Sequence, residues 1–183
     1  MKTKLLTFSE DQLLELLLTH RGTATQLPNG TLLRADGIVN DSLYRMRLRS
    51  AYARILASNN LDLLPVSDVA ESLNSNLYIN HDTLVASINL PDTILLPVEI
   101  KLTSWDTPIS TFFEPSHPIA RLQKSPFSRA HASRPVAVMH RKSLMLYSAK
   151  SADDSIESAF MVVRPPENFY VFPEAALPLM LDA

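Results

Sequence analysis

The sequence predicts an α+β fold in which a short N-terminal helical region precedes a mainly antiparallel β domain. Residues 1–75 contain two to three stretches with helical periodicity and capping residues. Residues 76–172 instead contain short β-prone runs that are separated by turn residues. Residues 173–183 form an apolar C-terminal tail with a short helix. A chain of 183 residues can form one compact unit, and this is the organisation that we expect.

The composition is that of a globular protein without a strong electrostatic preference. Apolar residues make up 46% and charged residues 20%, and a net charge of −2 gives no general attraction to nucleic acid or anionic membranes. With no cysteine there are no disulfides or thiolate metal sites, and with only 3 glycines there is no glycine-rich phosphate loop. No apolar run reaches bilayer length and no signal peptide is evident, so we expect a soluble protein made in the cytoplasm.

The first helix is the clearest local prediction and covers residues 8–20. Ser9 is a good N-cap, and Gln12 three residues later completes a capping box. Phe8 and Leu13 occupy the two positions of a hydrophobic staple. Five leucines between residues 13 and 18 give a broad apolar face, and Gly22 ends the helix.

The rest of the helical region is less regular. Residues 23–40 read as a loop or small hairpin, with a turn at Pro28–Gly30 and a short strand at Thr31–Leu33. A second helix begins at Asp41 or Ser42 and runs to about Ser58. A third, short helix is predicted over residues 67–74, with Ser67 as its cap.

The β domain begins with three β-prone runs, at residues 77–80, 84–90 and 93–105. Pro97 lies inside the third run, which indicates an edge strand or a bulge because proline has no N–H for a ladder. The stretch Arg134–Pro166 is the most regular part and predicts strand, turn, strand, acidic loop and strand in one sheet. A last strand at Phe169–Phe172 leads into the C-terminal helix, which Pro178 is expected to disturb.

Residues 107–133 are predicted to form a long, proline-rich loop that projects from the β domain. The apolar residues of this segment have no clear period, and only Ile119–Lys124 suggests a helical turn. Irregular connections of this length in compact domains usually have a function or bind a partner.

No catalytic or metal-binding pattern is present. The five histidines lack the spacing of metal ligands, and neither a G-x-S-x-G nor an S-x-x-K motif occurs. Asp153, Asp154 and Glu157 could bind a cation, but a solvated hairpin tip is the better interpretation because the regular ligand spacing and the glycine bend are missing. We therefore expect a protein that is not an enzyme and has no cofactor and no metal.

The uneven distribution of charge along the chain says more about function than the search for catalytic motifs does. Residues 115–152 contain no acidic side chain but seven basic ones. Arginine beside phenylalanine is typical of protein interfaces, although nucleic-acid binding and a merely solvated loop remain open. The apolar tail should be covered either by a neighbour or by the core. The predicted partner interface comprises Phe112, Phe113, Arg121, Lys124, Phe127, Arg129, Arg134, Leu177, Leu179 and Met180.

The order of strands and prolines resembles a known family. The relevant segments are Trp105–Pro108, Arg134–Val138, Leu146–Ser148, Ala159–Pro166 and Pro173–Leu177. Together they are similar to the head-to-tail connector (neck, adaptor or ring) proteins of tailed bacteriophages, especially the ring components of short-tailed crAss-like phages.

The resemblance implies a non-enzymatic virion protein, made in the host cytoplasm, that forms a ring of about twelve copies. This ring would be stacked below the portal around the DNA channel, with portal and tail or neck proteins as further partners. Genomic DNA would pass through it without sequence-specific binding, and no membrane is involved. The alternative is a cytosolic module that binds nucleic acid or protein through the basic segment 115–152.

Overall fold

The computed structural model describes residues 4–22, 24–26, 32–34, 41–58, 60–125 and 127–182. The α+β class is confirmed, because helices accompany sheets that are mostly antiparallel. The chain divides into two compact units, one formed by Met1–Pro65 with Pro165–Ala183 and the other by Val66–Arg164. These boundaries differ from the predicted ones, which lay after residues 75 and 172 of one compact unit.

The elements are named here in chain order. They are β1 (Leu5–Ser9), α1 (Glu10–His20), β2 (Ala24–Gln26), β3 (Leu32–Arg34), α2 (Asp41–Leu56), β4 (Val66–Asp68), α3 (Ala70–Asn74), β5 (Leu77–Ile79), β6 (Val85–Asn89), β7 (Ile94–Leu102), β8 (Phe112–Phe113), α4 (Pro118–Leu122), β9 (Val136–His140), β10 (Ser143–Tyr147), β11 (Ile156–Val163), β12 (Phe169–Pro173) and α5 (Leu177–Leu181). Short 3-10 turns cover Leu61–Leu63 and Glu174–Ala176.

The first unit is built on the antiparallel pairing of β1 with β12, in which Leu5 lies opposite Pro173 and Ser9 opposite Phe169. Phe172, on β12, is fully buried and stacks on the Phe8 ring with their centroids 5.8 Å apart. The apolar faces of the two long helices share this core, to which they contribute Leu13, Leu14, Leu17, Leu18, Leu48, Ala51, Tyr52 and Ile55.

Both long helices were predicted and are confirmed. The Ser9 hydroxyl accepts from the Gln12 N–H, and the Gln12 side chain accepts from the Ser9 N–H, so the capping box is present. α2 begins at the predicted residue, Asp41. β2 and β3 pair as an antiparallel hairpin, one of the two predicted alternatives, and the predicted turn at Pro28–Gly30 lies outside the described residues. β1 was not predicted.

The second unit contains two sheets that share one hydrophobic core. A five-stranded sheet has the order β5-β6-β10-β9-β8, and a three-stranded sheet has the order β4-β11-β7. All pairings are antiparallel except that of β8 with β9. Trp105 is buried in this core, and its Nε1–H donates to the Ser148 carbonyl over 3.1 Å.

Three predictions for this unit need correction. The stretch Arg134–Pro166 does not form one sheet, because β9 and β10 make a hairpin in the larger sheet whereas β11 lies in the smaller one. Ser67 is not a helix cap but part of β4. The third helix begins only at Ala70, where the Asp68 carboxylate accepts the backbone N–H. Pro97 does mark an edge strand, and the register of β7 against β11 shifts beside it, as its sequence position indicated.

The segment 107–133 is also more ordered than predicted. Its predicted helical turn is present as α4, and β8 adds two residues to the five-stranded sheet. Ile109 and Gln123 are buried, and Ile109 forms a β-bridge with Ile100. Much of this segment therefore packs on the second unit instead of projecting from it. In the C-terminal helix, Pro178 lies in the first turn, which it starts rather than disturbs.

Glu10 connects three elements of the first unit. Its carboxylate accepts hydrogen bonds from Arg49 at 2.8 Å and Arg45 at 2.9 Å on α2, and from the Tyr170 hydroxyl of β12 at 3.1 Å. Hydrogen bonds from Arg49, and then from Arg45 and Tyr170, lower the pKa of Glu10 to about 2 although burial acts in the opposite direction. The ionised carboxylate therefore stabilises the folded first unit.

We predict that Glu10→Gln lowers the free energy of unfolding by about 1–2 kcal/mol at neutral pH, because charge-assisted hydrogen bonds are lost. The folded-state pKa is depressed, so this stabilisation is present above the ordinary value of 4.5 and is lost as the pH falls towards 2. Urea unfolding of both proteins over this range measures it. Glu15→Gln, on the exposed side of the same helix, is the control, and equal effects of the two substitutions would contradict the prediction.

Candidate functional site

A groove beside β8 is the candidate site of the second unit. Its cavity volume is about 420 Å³, and side chains from two sheets line it. β7 contributes Leu96 and Pro97, β8 contributes Phe112 and Phe113, and β9 with its turn contributes Met139 and Arg141. Glu114 completes the lining. Most of this lining is apolar, and one charge of each sign lies within it.

The groove exists because two sheets end beside it. β8 is the last strand of the five-stranded sheet, and β7 is an outer strand of the three-stranded sheet. Residues on an outer strand lack a neighbour on one side, which is why Leu96 remains 47% exposed. Pro97 has no backbone N–H, so the row of hydrogen-bond donors along β7 is interrupted at this residue.

A second groove, with a volume of about 310 Å³, lies on the other side of Phe113. Its lining comprises Thr107, Pro108, Ile109, Ser110, Thr111, Phe113, Ser133, Arg134 and Pro135. The Phe113 ring stacks on His117, with 4.6 Å between their centroids. His117 Nδ1 in turn accepts the Ile119 N–H at the start of α4. The Phe113 side chain, which lines both grooves, is therefore positioned by His117, the residue that caps α4.

The predicted interface residues of segment 107–133 and its flank fall in different places. Phe112 and Phe113 line the first groove, and Arg134 lines the second. Phe127 is entirely exposed, with a relative accessibility of 101%. Arg121 and Lys124 are exposed at the end of α4 and just beyond it.

Arg129 instead has a structural role. Its guanidinium donates to the Thr83 carbonyl at 2.8 Å and to the Gln123 carbonyl at 3.3 Å. The Gln123 side chain also accepts the Ala130 N–H at 2.7 Å. These bonds fasten the chain on both sides of Phe127, so the exposed ring projects from an anchored turn.

The three predicted residues of the C-terminal tail belong to the first unit. Met180 is fully buried in the core, and Leu177 packs against that core. Of the two alternatives for the tail, the core therefore covers Met180, which is inaccessible to a partner. Leu179 is 47% exposed and lines a groove of about 300 Å³ with Ala51, Arg54, Ile55, Ser58, Leu63 and Asp182.

Sequence reasoning missed Leu96, Pro97 and Met139, because they lie far from the basic segment in the chain or inside a regular strand. One signal was available for Leu96. A large apolar residue next to a proline in an edge strand has no partner strand to cover it. Its exposure could thus have been anticipated, but its proximity to Phe112 could not.

The acidic turn is different from its predicted form. Asp154 is buried, not solvated, and accepts hydrogen bonds from the hydroxyls of Thr103 and Ser104 and from the Ser104 N–H. Burial acts to raise its pKa, but the hydrogen bonds from Ser104 and Thr103 outweigh it and hold the pKa below its usual value. Glu157 pairs with Lys101 at 2.7 Å. Among the described residues, no group of three or more potential ligands could hold a metal ion.

Comparisons with other proteins do not assign a family: no protein-family model and no curated protein matches the chain. Among the described residues, no helix is long and apolar enough to cross a membrane. The function proposed below therefore rests on the sequence resemblance and on the surfaces of the second unit.

We predict that Asp154→Asn lowers the free energy of unfolding by about 1–2 kcal/mol, because an amide nitrogen cannot accept the hydroxyl bonds that the carboxylate accepts. Thermal unfolding followed by circular dichroism measures the effect. Asp153→Asn is the matched control, since its side chain is exposed one residue away. An unchanged melting temperature of the Asp154 variant would contradict a structural role for the buried carboxylate.

Proposed function

We propose that the chain is a structural subunit of a phage head-to-tail connector, in which identical copies associate side by side in a ring. The resemblance of the segments around Trp105, Arg134 and Pro166 supports this family. Ring formation requires two different surfaces on each subunit, since identical patches facing each other give a closed pair. Portal and tail proteins would contact the faces above and below.

The observation that carries this proposal is the apolar groove between the outer strands β7 and β8, together with the fully exposed Phe127. Open strand edges and uncovered apolar side chains are costly in a protein that functions alone. Their presence in one unit, outside any catalytic arrangement, is typical of a subunit whose surface is completed by a partner.

The ring itself is tested with the purified chain. Light scattering coupled to gel filtration should give a single mass that is several times the 20.4 kDa of one chain, and electron microscopy should show closed particles. A set of masses that grows continuously with concentration would contradict a closed ring, because it indicates an open filament.

The place of the chain in a phage is tested separately. We expect an antibody raised against it to label the head-to-tail junction of purified particles, and particles made without it to lack tails. Complete, infectious particles that contain none of the chain would exclude the connector assignment.

A second candidate function is nucleic-acid binding through the basic segment 115–152. The exposure of its basic side chains, most of which have no salt bridge among the described residues, favours this function. Arg121, Lys124, Arg134, Arg141 and Lys150 are exposed, and none has a salt bridge among the described residues. Within the described part of the chain, Lys142 is the one basic residue of this segment in a salt bridge, at 3.5 Å from Asp92. Unpaired arginines and lysines are the groups that displace counterions from phosphates.

Titration of labelled duplex DNA at two salt concentrations separates the two candidates. Phosphate binding by five side chains should weaken steeply with salt, and Arg134→Gln with Arg141→Gln should reduce the slope by about 2. Lys142→Gln, at the paired position, is the control. Affinity that is absent or independent of salt would exclude this function and leave the connector assignment unaffected.

A further inference from the structure

Phe127 is a fully exposed apolar side chain between residues that hydrogen bonds hold in place. Its ring is completely exposed, whereas Arg129 and Gln123 hold the neighbouring backbone through three hydrogen bonds. An aromatic ring between hydrogen-bonded flanks has the form of an interface anchor, because less backbone freedom is lost when the ring is buried.

The groove between β7 and β8 has complementary properties. Phe112, Phe113, Met139, Leu96 and Pro97 give it an apolar wall, and its volume of about 420 Å³ lies in the range of pockets that accept small organic groups. A phenyl ring is therefore of suitable size and chemistry to occupy it.

The Phe127 side chain and the groove lie beside different strands of the five-stranded sheet. Arg129 bonds to Thr83, just before β6 begins at Val85, and Val85 is opposite Tyr147, which is opposite Val136. The turn that carries Phe127 is therefore at the Val136 end of β9. The groove is lined by Phe112 and Phe113 of β8 and by Met139 and Arg141 of β9 and its turn. Two strands, β10 and β9, lie between β6 and β8 in the sheet, so the two features occupy different parts of one subunit.

Charge provides one specific pair for the same contact. Lys124 is exposed three residues before Phe127, and the lining of the groove exposes Glu114 as well as Arg141. Among the described residues neither Lys124 nor Glu114 has an ion-pair partner. A lysine on one surface and a glutamate on the other leave both charges available for pairing between two molecules.

We propose that the groove between β7 and β8 receives Phe127 of a second copy of this chain. In the proposed ring this contact is head-to-tail, and each copy gives Phe127 to one neighbour and accepts it from the other. This inference rests on the proposed ring and adds the contact that joins its subunits. Lys124 of the donating copy pairs with Glu114 of the accepting copy.

Cysteine cross-linking tests the contact directly, because the natural chain has no cysteine and gives no background. Phe127→Cys and Leu96→Cys are made in separate chains and mixed under mild oxidation. We expect the mixed pair to form a disulfide-linked dimer much faster than either variant alone. Tyr78→Cys, at a more exposed position on β5 (63% against 47% for Leu96), replaces Leu96→Cys in the control and should give no such dimer.

Mixing of charged variants tests the direction of the contact. Phe127→Glu and Leu96→Glu should each weaken self-association tenfold or more, by about the effect of losing a central interface residue. In a mixture of the two variants, the intact Phe127 of the Leu96→Glu chain can still enter the intact groove of the Phe127→Glu chain. Association should therefore stop at dimers, whereas the wild-type chain continues beyond them. Tyr78→Glu should associate as the wild type does. The Phe127 side chain is fully exposed, so its substitution does not threaten folding.

The association experiments test the contact between Phe127 and the groove separately from the formation of an oligomeric ring. If Phe127→Glu and Leu96→Glu form the same closed particles as the wild type, the inference is overturned while the ring remains. If the wild-type chain stays monomeric at the highest concentration that remains in solution, the inference is also overturned, and antibody labelling of particles then decides the connector assignment by itself.

Discussion

The pairing of β1 with β12 is the contact on which the first unit depends, because it joins the two separate pieces of chain that form this unit. Phe172 on β12 enters the leucine core of α1 and α2, and Tyr170 on the same strand bonds to Glu10. Glu10 directly follows β1, so the strand pairing positions its carboxylate for the arginines of α2. One register thus determines both the core and the charged cluster.

The predictable parts of the fold are those that local sequence determines. The capping box at Ser9 and Gln12, the helix at Asp41 and the edge position of Pro97 each follow from a few adjacent residues. β1 could not be found in this way, because its stability comes from a partner strand at the far end of the chain. Ser67 was misassigned because serine is compatible with both a helix cap and a strand, and the pairing with β11 decides between them.

The candidate site was only partly predictable for the same reason. Phe112, Phe113 and Phe127 were predicted as interface residues from the arginines and phenylalanines of their segment, which can be read without knowing the fold. The opposite wall of the groove comes from Leu96 on another sheet, and only tertiary structure brings it there. Met180 was predicted as an interface residue but is buried in the core. Composition could not prevent this error, because an apolar tail has the same composition whether a neighbour or its own core covers it.

The nested chain path has a consequence for the order of folding during translation. Residues 66–164 are complete on the ribosome before β12 has been made, and their first and last strands, β4 and β11, pair with each other. The second unit can therefore finish folding on the nascent chain. The leucines of α1 and α2 share their core with Phe172, so they are synthesised before the second unit but are fully buried only after it. A chaperone that protects the nascent protein would have to bind this N-terminal helical surface.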